Sequence, residues 1–108
     1  MSFDPVLADR VRQLVSPRRH FAEKRMFGGV GFLYHDHLVL ALWKDSLIVR
    51  IGPERYEAAL LEPHVREFDV TGRPMKGWVM VAPRGVATEN DLRSWLERSL
   101  DFAAELPK

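Results

Sequence analysis

Apolar residues recur at two spacings along the chain, and each spacing predicts one kind of element. Near both ends of the chain they fall every three or four positions, as on one face of an α-helix. The first helix is predicted to begin at Asp4-Pro5, where a capping side chain precedes a proline suited to the first helical position, and to end near Ser16. The last helix is predicted to begin after Thr88, which caps it.

Short apolar runs separated by turn residues predict strands between these two helices. Residues 25–34 are interpreted as the opening strand, bent at its glycines and with a helix packed against it. Two strands are predicted to follow it, at residues 38–43 and 46–51. A helix from Pro53 comes next, and then two more strands, at residues 65–70 and 78–82. The pattern predicts an α+β fold with a five-stranded, mostly antiparallel sheet and three helices in the order αβββαββα.

The run from Leu38 to Trp43 is apolar on both faces of its predicted strand. Such a strand is either central and covered on both sides or in contact with a second copy, so a homodimer is one expectation. The run is far too short to cross a bilayer, and the N-terminus lacks the basic and apolar regions of a signal peptide. We therefore expect a cytoplasmic protein with no membrane contact.

Composition narrows the classes of function. With 108 residues, of which 46% are hydrophobic and 29% charged, the chain is predicted to form one domain, covering residues 1–108. The absence of cysteine excludes a disulfide framework and thiolate chemistry. The net charge of +1 predicts no general attraction to polyanions. Cations nevertheless cluster between Arg10 and Arg25, so direct nucleic-acid binding through this stretch is an alternative function.

Three short motifs occur together in the chain: residues 25–29 (RMFGG), 50–56 (RIGPERY) and 71–77 (TGRPMKG). As a set they resemble the N-terminal domain of the TfoX (Sxy) family of competence regulators, and the closing Leu92-x-x-Trp95 pattern agrees with them. The resemblance implies a small α+β domain, a bacterial cytoplasmic setting and a part in the transcriptional regulation of DNA uptake. It supplies no catalytic residues. The best-known members also carry a C-terminal helical domain, which the 108 residues do not include, and whether a separate chain supplies one stays open.

The stretch from Thr71 to Gly77 is the strongest candidate for binding. A turn stiffened by proline and presenting Arg73 and Lys76 can hold a carboxylate or a phosphate. Arg25 and Arg50 are expected either to join it or to pair with Glu and Asp side chains. The alternative is a hairpin turn whose cationic side chains only cover apolar surface. The motif residues assigned structural roles are glycines and prolines: Gly28, Gly29, Gly52, Pro53, Gly72, Pro74 and Gly77.

Other patterns for chemistry are weak. The glycines at 28, 29 and 31 do not match a phosphate-binding loop, since the spacing differs and no helix is predicted to follow. His35-x-His37 has a spacing that can chelate a metal, but solvated turn residues are the simpler interpretation. No local catalytic motif is found. The leading hypothesis is a non-enzymatic regulatory module without cofactor that binds an unidentified protein, and a small-molecule enzyme near the glycine-rich strand is the second alternative.

Overall fold

Three α-helices and six strands form the described chain, which comprises residues 3–26, 28–70 and 72–107 of a computed structural model. The helices are α1 (Pro5–Val15), α2 (Pro53–Leu60) and α3 (Glu89–Ala103), with a short 3-10 helix at Pro83–Val86. The strands are β1 (Phe21–Met26), β2 (Gly29–Tyr34), β3 (His37–Trp43), β4 (Ser46–Arg50), β5 (Val65–Glu67) and β6 (Trp78–Val81). They form an antiparallel sheet in the order β1-β2-β3-β4-β6-β5. The predicted α+β fold is confirmed.

The described sheet has six strands rather than five, because the stretch predicted as one opening strand contains a hairpin turn. Gly28 lies at this turn with a φ of +72°, and β1 pairs with β2 from Met26 opposite Gly29 to Phe21 opposite Tyr34. Phe27, part of the first motif, lies outside the described residues. β1 has four successive exposed residues, so it lacks the apolar alternation by which a strand is found.

The helix boundaries follow the local signals in the sequence. Asp4 Oδ1 accepts a hydrogen bond of 2.9 Å from the backbone N–H of Val6, and Pro5 follows as the first residue of α1. Thr88 Oγ1 accepts one of 3.0 Å from the backbone N–H of Asp91 at the start of α3. Each cap satisfies a backbone donor that the helix leaves unpaired. Among the described residues, no helix combines the length and apolar composition needed to cross a bilayer.

The main core lies between one face of the sheet and the three helices. β3 is buried on both faces, which accounts for its continuous apolar run within a single chain, and a homodimer stays a prediction. The opposite face carries a smaller buried cluster of Ala41, Ile48, Phe68 and Met80. Phe68 belongs to the connection after β5, because that strand ends at Glu67 instead of continuing to residue 70 as predicted.

The glycines of β2 face away from the helices. A Cβ built on Gly31 would lie 2.7 Å from Leu38 Cδ1 and 2.9 Å from Met26 Sδ, and one on Gly29 would overlap the carbonyl oxygen of Leu42. The expected helix on the glycines is therefore replaced by the side chains of Leu38 and Met26 and by the backbone of β3. The glycines of this strand serve close packing within the sheet.

Candidate functional site

The second and third motifs meet where β4 ends and β6 begins. The backbone N–H groups of Ile51 and Gly52 both donate to the carbonyl oxygen of Gly77, at 2.9 and 3.1 Å. A Cβ on Gly77 would lie 3.3 Å from the backbone of Gly52 and of Pro53, so the two chain segments approach each other closely. Two stretches that are distant in sequence thus form one continuous surface.

Backbone hydrogen bonds within the connection fix the shape of the turn between Phe68 and Trp78. The N–H of Gly72 donates to the carbonyl of Asp69 at 2.9 Å, that of Met75 to Phe68 at 3.1 Å and that of Trp78 to Met75 at 3.0 Å. Thr71 lies outside the described residues. The bonds run across the loop as well as along it, so the turn is held as a defined structure.

The side chains of this turn remain outside the core. Arg73, Pro74 and Lys76 are exposed, and Met75 is 37% exposed, which is a large fraction for a big apolar side chain. The turn therefore presents two cations and one adaptable apolar group on a fixed backbone. Arg50 lies directly opposite Trp78 in the β4–β6 register. We call the five residues Arg50, Arg73, Pro74, Met75 and Lys76 the turn surface.

Arg50 is half-buried and is held by aromatic rings. Its guanidinium carbon lies 5.3 Å from the ring centroid of Trp78 and 5.3 Å from that of Phe102. Gly52 leaves the space that the Phe102 ring fills, since a Cβ there would overlap the ring. The Arg-x-Gly-Pro order in the second motif therefore has a structural reason: the glycine admits Phe102, and Phe102 restrains the arginine two residues earlier.

Arg25 lies apart from the turn surface. It is on the edge strand β1, where its guanidinium carbon is 5.5 Å from the ring centroid of Phe3. β1 and β4 are separated by three strand spacings, or about 14 Å across the sheet. Arg25 pairs with Val30, whereas Arg50 pairs with Trp78 towards the other end of the strands. The structure therefore brings together Arg50 and the turn but does not bring Arg25 to them.

Comparison with known proteins agrees with the motifs. The sequence model of the TfoX N-terminal domain matches residues 13–103, which include all three motifs and the whole turn surface. The chain belongs to this family. No curated protein and no solved structure is similar enough to count as a match.

In this TfoX N-terminal domain, much of the basic stretch from Arg10 to Arg25 is engaged within the chain. Arg10 donates to the carbonyl oxygens of Val86 and Thr88 at 2.7 and 3.3 Å. Arg12 donates two hydrogen bonds to the Glu23 carboxylate, at 2.8 and 2.7 Å, and these hold the pKa of Glu23 below its usual range. Arg18 is paired with Glu97 on α3. These contacts reduce the number of cations that remain for phosphate groups.

The two histidines of the His-x-His pattern make different contacts. His35 stacks on His20 with ring centroids 4.1 Å apart, and a ring nitrogen of His37 lies 2.6 Å from the carbonyl oxygen of Pro107. In the described ranges, no three histidine, aspartate or glutamate side chains converge in a way that would hold a metal ion. His35 thus stacks on the segment before β1, whereas His37 contacts the C-terminal segment.

Two cavities are relevant to the alternative hypothesis of a small-molecule enzyme. The cavity beside β2 measures about 40 Å³ and has an aliphatic and aromatic lining, which includes Met26 and Trp43. A larger cleft of about 400 Å³ is bordered by Asp45, Ser46 and His64 among others. The hydroxyl of Ser46, a buried residue, donates to Asp45 Oδ1 at 3.3 Å.

The sequence did not reveal the larger cleft. Its residues come from the β3–β4 turn, from His64 and the start of β5, and from the segment after β6. Leu47 and Val65 both pair with Val81, so β4 and β5 flank β6 at this end of the sheet. Only the pairing of distant strands, and no local motif, brings these polar groups together.

Proposed function

We propose that this TfoX N-terminal domain is a non-enzymatic regulatory module that binds another protein through the turn surface. The observation that carries the proposal is Met75, an exposed apolar side chain between two exposed cations on a backbone fixed by hydrogen bonds. Protein contact surfaces favour methionine and arginine, and a rigid loop loses little conformational entropy on binding. Membership of the TfoX N-terminal domain family is consistent with an interaction module.

The family resemblance suggests the setting of this interaction. We propose that the domain acts in the cytoplasm of a bacterium and takes part in the transcriptional regulation of DNA uptake. Its contribution is contact with a protein partner, since three of the six cations of the basic stretch, Arg10, Arg12 and Arg18, make internal contacts.

Site-specific photo-crosslinking in the host cell tests the contact surface. A photoreactive amino acid replaces Met75 in one variant, and in two control variants it replaces Leu61 or Val6, which are 88% and 67% exposed. We expect a discrete crosslinked product from position 75 that the controls do not give. Equal products from all three positions would contradict the proposal, because exposure alone would then explain them.

A charge variant identifies the part played by the cations. Combining the photoreactive residue at position 75 with Arg73→Ala and Lys76→Ala is expected to remove the crosslinked product while leaving the thermal midpoint unchanged, since both side chains are exposed. The matched control replaces two other exposed cations, Lys24 and Arg66. A product that survives the first pair of substitutions would exclude Arg73 and Lys76 as contributors to the contact.

A further inference from the structure

Arg50 differs from the paired arginines of this domain in the contacts that it makes. Arg12, Arg18 and Arg98 each form an ion pair with a carboxylate. Arg50 contacts two rings instead and makes no hydrogen bond or ion pair with another described residue. Among the described residues, no fully buried side-chain nitrogen lacks a hydrogen-bond partner, so the guanidinium donors of Arg50 reach solvent.

The geometry of a guanidinium determines what such a group can bind. Its N–H donors lie in one plane and form a rigid fork that matches the two oxygens of a carboxylate. Contacts with Trp78 and Phe102 restrain the side chain without consuming these donors. Restraint before binding reduces the entropy lost when an anion is bound. Arg50 is therefore prepared for a planar, bidentate partner.

The surroundings favour a peptide carboxylate over a nucleic-acid backbone. Asp69 begins the turn, so an acidic residue adjoins the cations of this region. Nucleic-acid binding draws on many simultaneous phosphate contacts, which an acidic residue opposes, whereas a single carboxylate needs only one. The exposed thioether of Met75 suits an apolar side chain next to that carboxylate.

We propose that Arg50 binds the carboxylate of an acidic segment in a partner protein and that Met75 contacts an apolar residue beside it. This inference rests on the proposed function, because it names the chemistry that the turn surface recognises. Lys76, which adjoins the Gly77 carbonyl bound by Ile51 and Gly52, adds positive charge to the same site.

Nuclear magnetic resonance of the arginine side chains tests this inference directly. The probe is the peptide acetyl-Gly-Leu-Glu-Leu-Gly-amide, with a control peptide in which glutamine replaces glutamate and a short oligothymidylate as the phosphate probe. We expect the glutamate peptide to shift the Nε–H resonance of Arg50 and to leave that of Arg66, an exposed arginine on β5, unchanged. The Arg50→Lys variant, which keeps the charge but loses the fork, should weaken binding about tenfold or more.

Each other outcome overturns the inference. An unshifted Arg50 resonance at about 10 mM peptide would exclude even the weak affinity expected of one ion-pair contact. Equal shifts with the glutamine peptide would remove the role of the carboxylate, and a larger response to oligothymidylate would assign the site to phosphate. Because the titration uses the wild-type chain, it does not depend on the folding of a variant. Crosslinking at Met75 without an Arg50 response would leave the proposed function standing and exclude only this inference.

Discussion

Gly52→Ala should be among the most destabilising single substitutions in the turn region. Gly52 has φ +88° and ψ 157°, a backbone conformation confined almost entirely to glycine. Imposing it on alanine costs about 1–3 kcal/mol. The added Cβ also overlaps the ring of Phe102, and overpacking of this kind costs about 1–3 kcal/mol. We therefore expect the free energy of unfolding to fall by about 2–6 kcal/mol.

A double-mutant cycle separates the two contributions. In a Phe102→Ala background the overlap disappears, so Gly52→Ala should retain only the backbone cost of about 1–3 kcal/mol. Urea unfolding followed by circular dichroism measures all four proteins, and the thermal midpoint of the single variant should fall by about 10 °C or more. Gly72→Ala is the matched control, since Gly72 has φ +97° but no atom within 4 Å of a Cβ.

The result that would refute this reasoning is equally specific. A loss below about 1 kcal/mol would mean that the chain tolerates the backbone conformation assigned to glycine here. An equal cost in both backgrounds would mean that the Phe102 ring moves aside freely. The coupling energy with Phe102→Ala can also be measured for the control, Gly72→Ala. If it were as large as the coupling energy between Gly52→Ala and Phe102→Ala, the effect would not be a local overlap.

Two further predictions concern a helix cap and an ion pair. Thr88→Ala should lower the free energy of unfolding by about 1 kcal/mol, because the Asp91 N–H loses its acceptor, and Thr88→Ser should restore most of it in the same urea assay. Arg12 lowers the pKa of Glu23 in the folded state, so the stabilisation that Glu23 contributes is complete above its unfolded pKa, near 4.5, and is lost as the pH falls through the folded value. Glu23 is over a third exposed, so Glu23→Gln should cost less than about 1 kcal/mol at neutral pH, and the difference from wild type should vanish in acid. A difference that does not change with pH would contradict this assignment.

The features that could be predicted from the sequence are those whose signals are local. Asp4-Pro5 and Thr88 mark helix starts because a cap acts within the first turn of its own helix. β3 could be predicted because burial on both faces produces an unbroken apolar run. β1 could not, because an edge strand with an exposed, charged surface has the composition of a loop, and only its pairing with β2 defines it.

The candidate site divides in the same way. That the turn around Pro74 presents Arg73 and Lys76 follows from neighbouring residues, and the structure places both outside the core. The setting of Arg50 depends on Trp78 and Phe102, which reach it through strand pairing and through the packing of α3. A sequence pattern contains no information on such contacts until the fold is known.

Gly52 connects the stability of this domain to the binding that we propose. It admits the ring of Phe102, and that ring restrains the guanidinium of Arg50, so a side chain at position 52 disturbs both packing and anion recognition. At Gly72 a Cβ would meet open space, so substitution there strains the turn without displacing the aromatic support of Arg50. The turn surface therefore depends on the two glycines in different ways. Gly72 maintains the shape of the turn, whereas Gly52 keeps Arg50 in place.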